Sequence, residues 1–366
     1  MKRIIYIPFD HLHRNFGALK DSDPKKDVIA FVESARMTTG RNWHTERLFF
    51  LISSARHFAK SLEDEGFTVE YVKAATTVDG LKSIQKKHTA LPITCAEPSS
   101  FRQYDQLKEF GVSFVDNDFF LTPRDLFTQW AEGQKSYLME NFYRAQRIRL
   151  GIMVEGNKPT GGAWNFDKEN RLPPPKKYEG PAYLEHKRDE IDQEVAKELG
   201  HTITTTWATT RKGALAQMKN FFDNHFAEFG PLEDAMTTDN WALHHSLLSP
   251  YINNNLIHPS EVIHAAVKAF NTGTVPIESA EGFIRQIIGW REYVNGMYWF
   301  LGPDYRENNQ LNATKKLLPL FSDPSKTQMN CIKETVTDIQ SRAWVHHIPR
   351  LMLLSNLALI TGTNPQ

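Results

Sequence analysis

Two adjacent histidines, His346 and His347, stand in the phrase RAWVHHIPRLM (342–352). A histidine titrates near neutral pH, so either could serve as an acid or a base. The commoner role, a hydrogen-bonded core histidine, competes with that reading. On a regular helix neighbours diverge by about 100°, so the pair is not expected to chelate one metal. A second group is Ser246, Leu247, Leu248 and Ser249 ahead of Pro250. A turn of small hydroxyl residues can offer N–H and Oγ donors to a phosphate, or simply cap a helix. The third group lies in GFIRQIIGWREYVNGMYWFL (282–301), where Gln286, Gly289 and Tyr293 share a face beside Trp290 and Arg291. Gly289 costs about 1 kcal/mol against alanine in a helix, which suggests that something needs the space. A flat ligand or a base would suit such a face.

The element that must carry this third group reads as one helix. Phe283, Ile287, Trp290, Val294 and Met297 recur at spacings of four and three, which predicts a single buried stripe. Earlier in the chain, helical and strand-like stretches alternate. A helix is expected from Thr45 to Glu65, a strand over 67–74, a helix over 77–87, a strand over 91–97, a helix over 101–110 and a strand over 112–117. Alternation of this kind implies a parallel sheet covered on both faces. The expected fold class is therefore an α/β, Rossmann-like domain over 1–125. A connector (126–184) rich in Gly, Pro and Asn follows, then an all-helical domain over 185–366.

Bulk properties narrow the partners. The 43 basic and 43 acidic side chains cancel, so DNA binding would need a local basic patch. Arg144 and Arg147 share a helix face, with Arg149 and Arg171 further along; they are candidates for phosphate contact or for tying down the connector. The start is too quickly polar for a signal peptide, and no run reaches the roughly 18 apolar residues of a membrane span. The two cysteines, Cys95 and Cys331, suggest a reducing cytoplasm. They are too few for a self-contained zinc or iron–sulfur site.

The wording of four phrases adds to this. FIRQIIGWREYV with YW, the EDAM (233–236) and SLLSPY (246–251) pair, HHIPRLM, and FYRAQRIRLGIM followed by GGAWNFDKENR resemble the bacterial cryptochrome and photolyase family that carries an iron–sulfur cluster. The resemblance implies light-driven repair of UV-damaged DNA, (6-4) photoproducts favoured, by electron transfer from reduced FAD in the helical domain. It implies FAD binding by Ser246, Leu248, Ser249, Gln286 and Arg350, catalysis by His347 and His346, and DNA contact by Trp290, Arg291, Tyr298, Arg144 and Arg147. Damaged DNA is the implied partner, with no membrane, no obligatory protein partner, and a bacterial cytoplasmic location. Asp10 and Glu33 match positions of the family's antenna domain, which binds a lumazine in several members. Cys331 matches one cluster ligand; the others would lie beyond Gln366, so a four-iron cluster is not expected in this chain. The flavin domain is accordingly expected to be C-terminally truncated. Asp323 stands where relatives often place a relay tryptophan, Phe321 is its possible stand-in, and Pro349 is expected to kink the His-His helix. The resemblance also fits a cryptochrome-like light sensor without repair, or a flavin-free remnant.

Overall fold

A computed structural model describes residues 2–89 and 91–366, and the chain forms two compact units. The first comprises Met1–Pro123, Leu184–Met218 and Leu248–Val262. Its centre is a five-stranded parallel sheet, ordered β3-β2-β1-β4-β5, of β1 (Ile4–Tyr6), β2 (Val28–Ser34), β3 (Thr68–Ala74), β4 (Ile93–Ala96) and β5 (Ser113–Val115). Register runs Ile4↔Val28 and Ile4↔Ile93, so β1 is central. Ile4, Tyr6, Ala30, Val32, Ile93 and Cys95 bury one face together with Leu81 and Ile84 of the helix Thr77–Lys87. The helix Thr45–Asp64 buries Leu48, Ile52, Ala55, Phe58 and Leu62, and Phe58 meets Phe31 edge-on at 6.3 Å. The α/β expectation holds.

The partition differs from the expected boundary at 185. The helix Glu190–Leu199, expected in the helical domain, belongs to the α/β unit. Arg56 pairs with Glu198 at 2.5 Å, His57 with Asp189 at 2.8 Å, and Ser53 donates to Asp192, fastening that helix to Thr45–Asp64. The helix also buries Val195 and Ala196, and an apolar period of this kind does not say which unit a helix joins.

The second unit comprises Arg124–Tyr183, Lys219–Leu247 and Ile263–Gln366. Its helical run Ile277–Leu301 is not one regular helix. Residues Ile277–Ile284 are α, Arg285–Arg291 form a π-helix, and Glu292–Leu301 return to α. The wider turn changes the phase of everything after it. Phe283 and Ile287 are buried as expected, but Trp290 is 46% exposed and Val294 60%. The buried face after the π-helix runs instead through Glu292, Gly296 and the partly buried Tyr293, Met297 and Phe300, which pack on Phe127 and Phe142. The sequence-predicted stripe is corrected at Trp290 and Val294, while Met297 stays on the packed face.

Candidate functional site

The site is built in the second unit around a second irregular helix. The helix Asn330–Arg342 ends at Ala343 in the left-handed region (φ 56°), and the chain turns back through Trp344. A new helical stretch opens at His347 and is π-helical over Pro349–Ser355. Pro349 therefore sits in a first turn, where no helical N–H bond is lost. The expected kink is not needed. His346 lies just ahead of the helix, so the two rings do not diverge as neighbours on a regular helix would.

They converge with a third imidazole. His245 stacks on His346 with ring centres 4.5 Å apart, and His347 stands edge-on to His245 at 5.7 Å. Ligand-capable nitrogens of all three lie within 4.8 Å of one another. The Asp234 carboxylate is 3.4 Å from His347 Nε2 and 3.7 Å from Arg171 Nε. Burial, with the neighbouring His347 and Arg350 charges, lowers His346 to about 3. Burial first, then the other imidazoles, also holds His245 well below the usual range. Both are neutral rings at physiological pH. The His347 side chain is 38% exposed.

Glu233 adds a buried acid. It accepts from Gln286 Nε2 at 2.7 Å and from Asn170 Nδ2 at 3.0 Å, and burial pushes it up to about 7. Alongside it Arg285 bonds Asp167 and pairs with Glu281 at 3.0 Å, while Tyr143 donates to Glu281 at 2.8 Å. Sequence reasoning did not single out His245, Asn170, Glu281 or Arg285, and it took Glu233 and Asp234 only as part of a phrase. The readable signal for His245 was its place directly before Ser246.

The structure sorts the remaining candidates. Gln286, His346 and His347 belong to this unit, as do Ser246 and the exposed Arg350. Leu248 (fully buried) and Ser249 (exposed) open the segment that belongs to the first unit. Leu247, between Ser246 and Leu248, takes φ 57°. That is rare for a bulky residue, costs on the order of 1–3 kcal/mol, and clusters at ligand clamps. Gly289 does not face an open space: a Cβ there would meet Met139 Sδ at 3.1 Å and Tyr143 Cδ2 at 3.4 Å. The close approach is to a helix, not to a ligand. Trp290 and Tyr298 are exposed, eight residues apart, with exposed Val294 between them.

Two expected DNA contacts are corrected. Arg147 is fully buried, and its guanidinium donates to Ile152 O at 3.3 Å, Trp164 O at 3.1 Å and Met153 O. It ties down the connector. Arg291 is largely buried and pairs with buried Glu292 at 2.9 Å. Arg144 is exposed and paired with Glu140 at 3.1 Å.

In the first unit Glu33 is buried, pairs with Arg56 at 3.1 Å and accepts from Tyr71 at 2.9 Å. Asp10 follows β1, and its carbonyl accepts from Asn255 at 2.6 Å. Cys331 is exposed in the first turn of Asn330–Arg342, and Cys95 is buried in β4. Asp323 caps the short turn at Pro324–Lys326, and Phe321 packs beside Leu320, Ile332 and Val336. Among the described residues no helix is long and apolar enough to cross a membrane.

Comparison with known proteins agrees with the fold and extends it. The family model for deoxyribodipyrimidine photo-lyase-related proteins matches residues 5–213. A (6-4) photolyase of Agrobacterium fabrum is 35% identical over 386 aligned residues, covering all of this chain and 76% of that protein. An uncharacterized protein of Acanthamoeba polyphaga mimivirus is 25% identical over 185 residues, covering 48% of this chain and 90% of its own length. The crystal structure of a bacterial class III photolyase from Agrobacterium tumefaciens aligns with TM-score 0.66 at 17% identity, over 99% of this chain and 73% of that one. That likeness shows the fold. By the span of the family model and the full-length relative together, the chain belongs to the deoxyribodipyrimidine photo-lyase-related protein family.

Proposed function

We propose that this chain is a light-driven DNA photolyase acting on UV-damaged DNA, with the (6-4) photoproduct as favoured lesion and FAD as cofactor. The observation that carries the reading is the likeness to a (6-4) photolyase along the whole chain. The second unit adds chemistry that suits it.

In the second unit Ser246, Gln286 and Arg350 would hold the flavin, Ser246 beside the strained Leu247. When bound and reduced, a flavin supplies on illumination the electron that the lesion takes up. The chain's own residues bind, orient and move protons. His347 is solvent-reachable and flanked by Asp234, so it can pick up a proton and deliver it to the lesion. His346, a neutral buried ring, positions His347 and is not the proton source. Trp290 and Tyr298 offer exposed aromatic faces to unstacked bases. Stacking of about 1–3 kcal/mol per base offsets the few kcal/mol that extruding a damaged nucleotide costs.

The test is a (6-4) photoproduct oligonucleotide under blue light with the purified, reduced protein. Repair that is lost in the dark and in His347→Ala supports the reading. A flavin-bearing protein with no repair would favour the light-sensor reading. A protein with no flavin absorption would sink both.

A further inference from the structure

We propose that His245, His346 and His347, backed by Asp234, form a binding site for one divalent transition-metal ion, zinc in first place. Three imidazoles whose ligand-capable nitrogens lie within 4.8 Å of one another are an N-donor set that suits zinc, copper, iron or nickel. His245 Nε2 and His346 Nδ1 are buried and lack hydrogen-bond partners, although their residues are only 9% and 5% exposed. Unsatisfied buried nitrogens on two stacked rings call for a partner, since each costs free energy as it stands. A lone pair on a neutral imidazole is what a metal requires.

The geometry needs a modest adjustment. Zinc–nitrogen bonds of about 2.0–2.1 Å in a tetrahedron place nitrogens roughly 3.4 Å apart, so the nitrogens must draw together by at most about 1.4 Å. His347 can supply the movement, because it is the most exposed of the three. Asp234, 3.4 Å from His347 Nε2, provides the carboxylate that a metal-bound histidine ordinarily holds with its other ring nitrogen. Three histidines leave the fourth zinc position open to water.

One consequence rests on the proposed function: a metal on His347 takes the lone pair that carries the proton, so loading silences repair. The site itself does not depend on that reading.

The experiment uses tag-free protein stripped of metal by chelation, titrated with zinc by calorimetry and with cobalt(II) by its visible d–d absorption. The expected result is one ion per chain. His245→Ala is expected to weaken binding at least 100-fold and Asp234→Asn by 10- to 100-fold. His57→Ala, which removes the separate grouping of His57, Asp189 and Asp192, leaves binding unchanged. Should His245→Ala fail to fold by circular dichroism, His347→Ala at the exposed position replaces it. No binding, or binding insensitive to both variants, overturns the site. Repair that is active without zinc and unaffected at saturation overturns the silencing alone. Absence of repair under every condition counts against the proposed function and leaves the metal titration standing.

Discussion

Gln286 donates a 2.7 Å hydrogen bond to Glu233, joining two phrases that lie 53 residues apart in sequence. One partner sits at the head of the π-helical turn and the other follows the helix Phe226–Leu232. The bond gives the buried acid a donor at one oxygen while Asn170 occupies the other.

That relationship predicts a pH-dependent stability. Glu233 is raised from 4.5 to about 7 in the folded state. A raised acid stabilises the fold in its protonated form, fully below pH 4.5, and the contribution is lost as pH climbs through about 7. The total is on the order of 3 kcal/mol. Glu233→Gln mimics the protonated side chain. Its melting temperature should match the parent near pH 4.5 and exceed it increasingly up to pH 8. A constant gap across that range would remove the argument.

His346 and His347 should separate stability from catalysis. The lowered His346 has the opposite sign to Glu233: its stabilising share is present above pH 6.5 and is lost as pH falls toward about 3. His346→Ala should therefore lower the melting temperature at pH 7.5 and flatten the acid limb. His347→Ala removes a more exposed ring and should move the melting temperature little, while repair falls by two orders of magnitude or more. Equal losses of stability in both variants would contradict the assigned division.

Gly296 records where the π-helix turned the chain. A Cβ there would lie 2.0 Å from Phe127 Cδ2. Gly296→Ala gains about 1 kcal/mol of helix propensity but overpacks a ring fixed by Trp130 and Phe142. The expected net loss is about 1–3 kcal/mol in urea unfolding. Phe127→Leu in the same chain should recover much of it, a coupling measurable in a double-mutant cycle.

How much of this was legible follows from what each residue depends on. The helix at Thr77–Lys87 and the strand at Thr68–Ala74 match the sequence reading because period and capping are local signals. The stripe through Trp290 and Val294 failed because a π-turn has no periodic signature of its own. Arg147 looked like a surface cation because its partners are carbonyls of Ile152, Met153 and Trp164, and a sequence does not show where a carbonyl points. The His245–His346 stack joins positions 101 residues apart, a proximity only the tertiary fold creates.

The two connector arginines should behave in opposite ways. Arg147→Ala removes the buried guanidinium that donates to the carbonyls of Ile152, Met153 and Trp164 and should cost about 3 kcal/mol or more, with the salt dependence of DNA binding unchanged in whatever protein still folds. Arg144→Ala breaks an exposed i,i+4 pair worth about 0.3–0.5 kcal/mol. If Arg144 touches a phosphate, the slope of log K against log salt falls by about 0.9. An unchanged slope would confine Arg144 to its pair with Glu140.

Trp290 and Tyr298 test whether the outward face of the helix Glu292–Leu301 and its π-helical lead-in binds bases. Trp290 is 46% exposed and Tyr298 42%, so neither ring holds much of the core. Trp290→Ala and Tyr298→Ala should each leave the melting temperature within a degree or two. Each should also weaken binding to lesion-bearing duplex by about 1–3 kcal/mol, roughly 5- to 150-fold. Because stacking is uncharged, the salt slope should stay constant while the intercept drops, the reverse of the pattern expected for Arg144. Undamaged duplex keeps its bases stacked, so its affinity should change much less. Equal losses on damaged and undamaged duplex would mean that the rings contact backbone and would move the lesion-binding face elsewhere in the second unit.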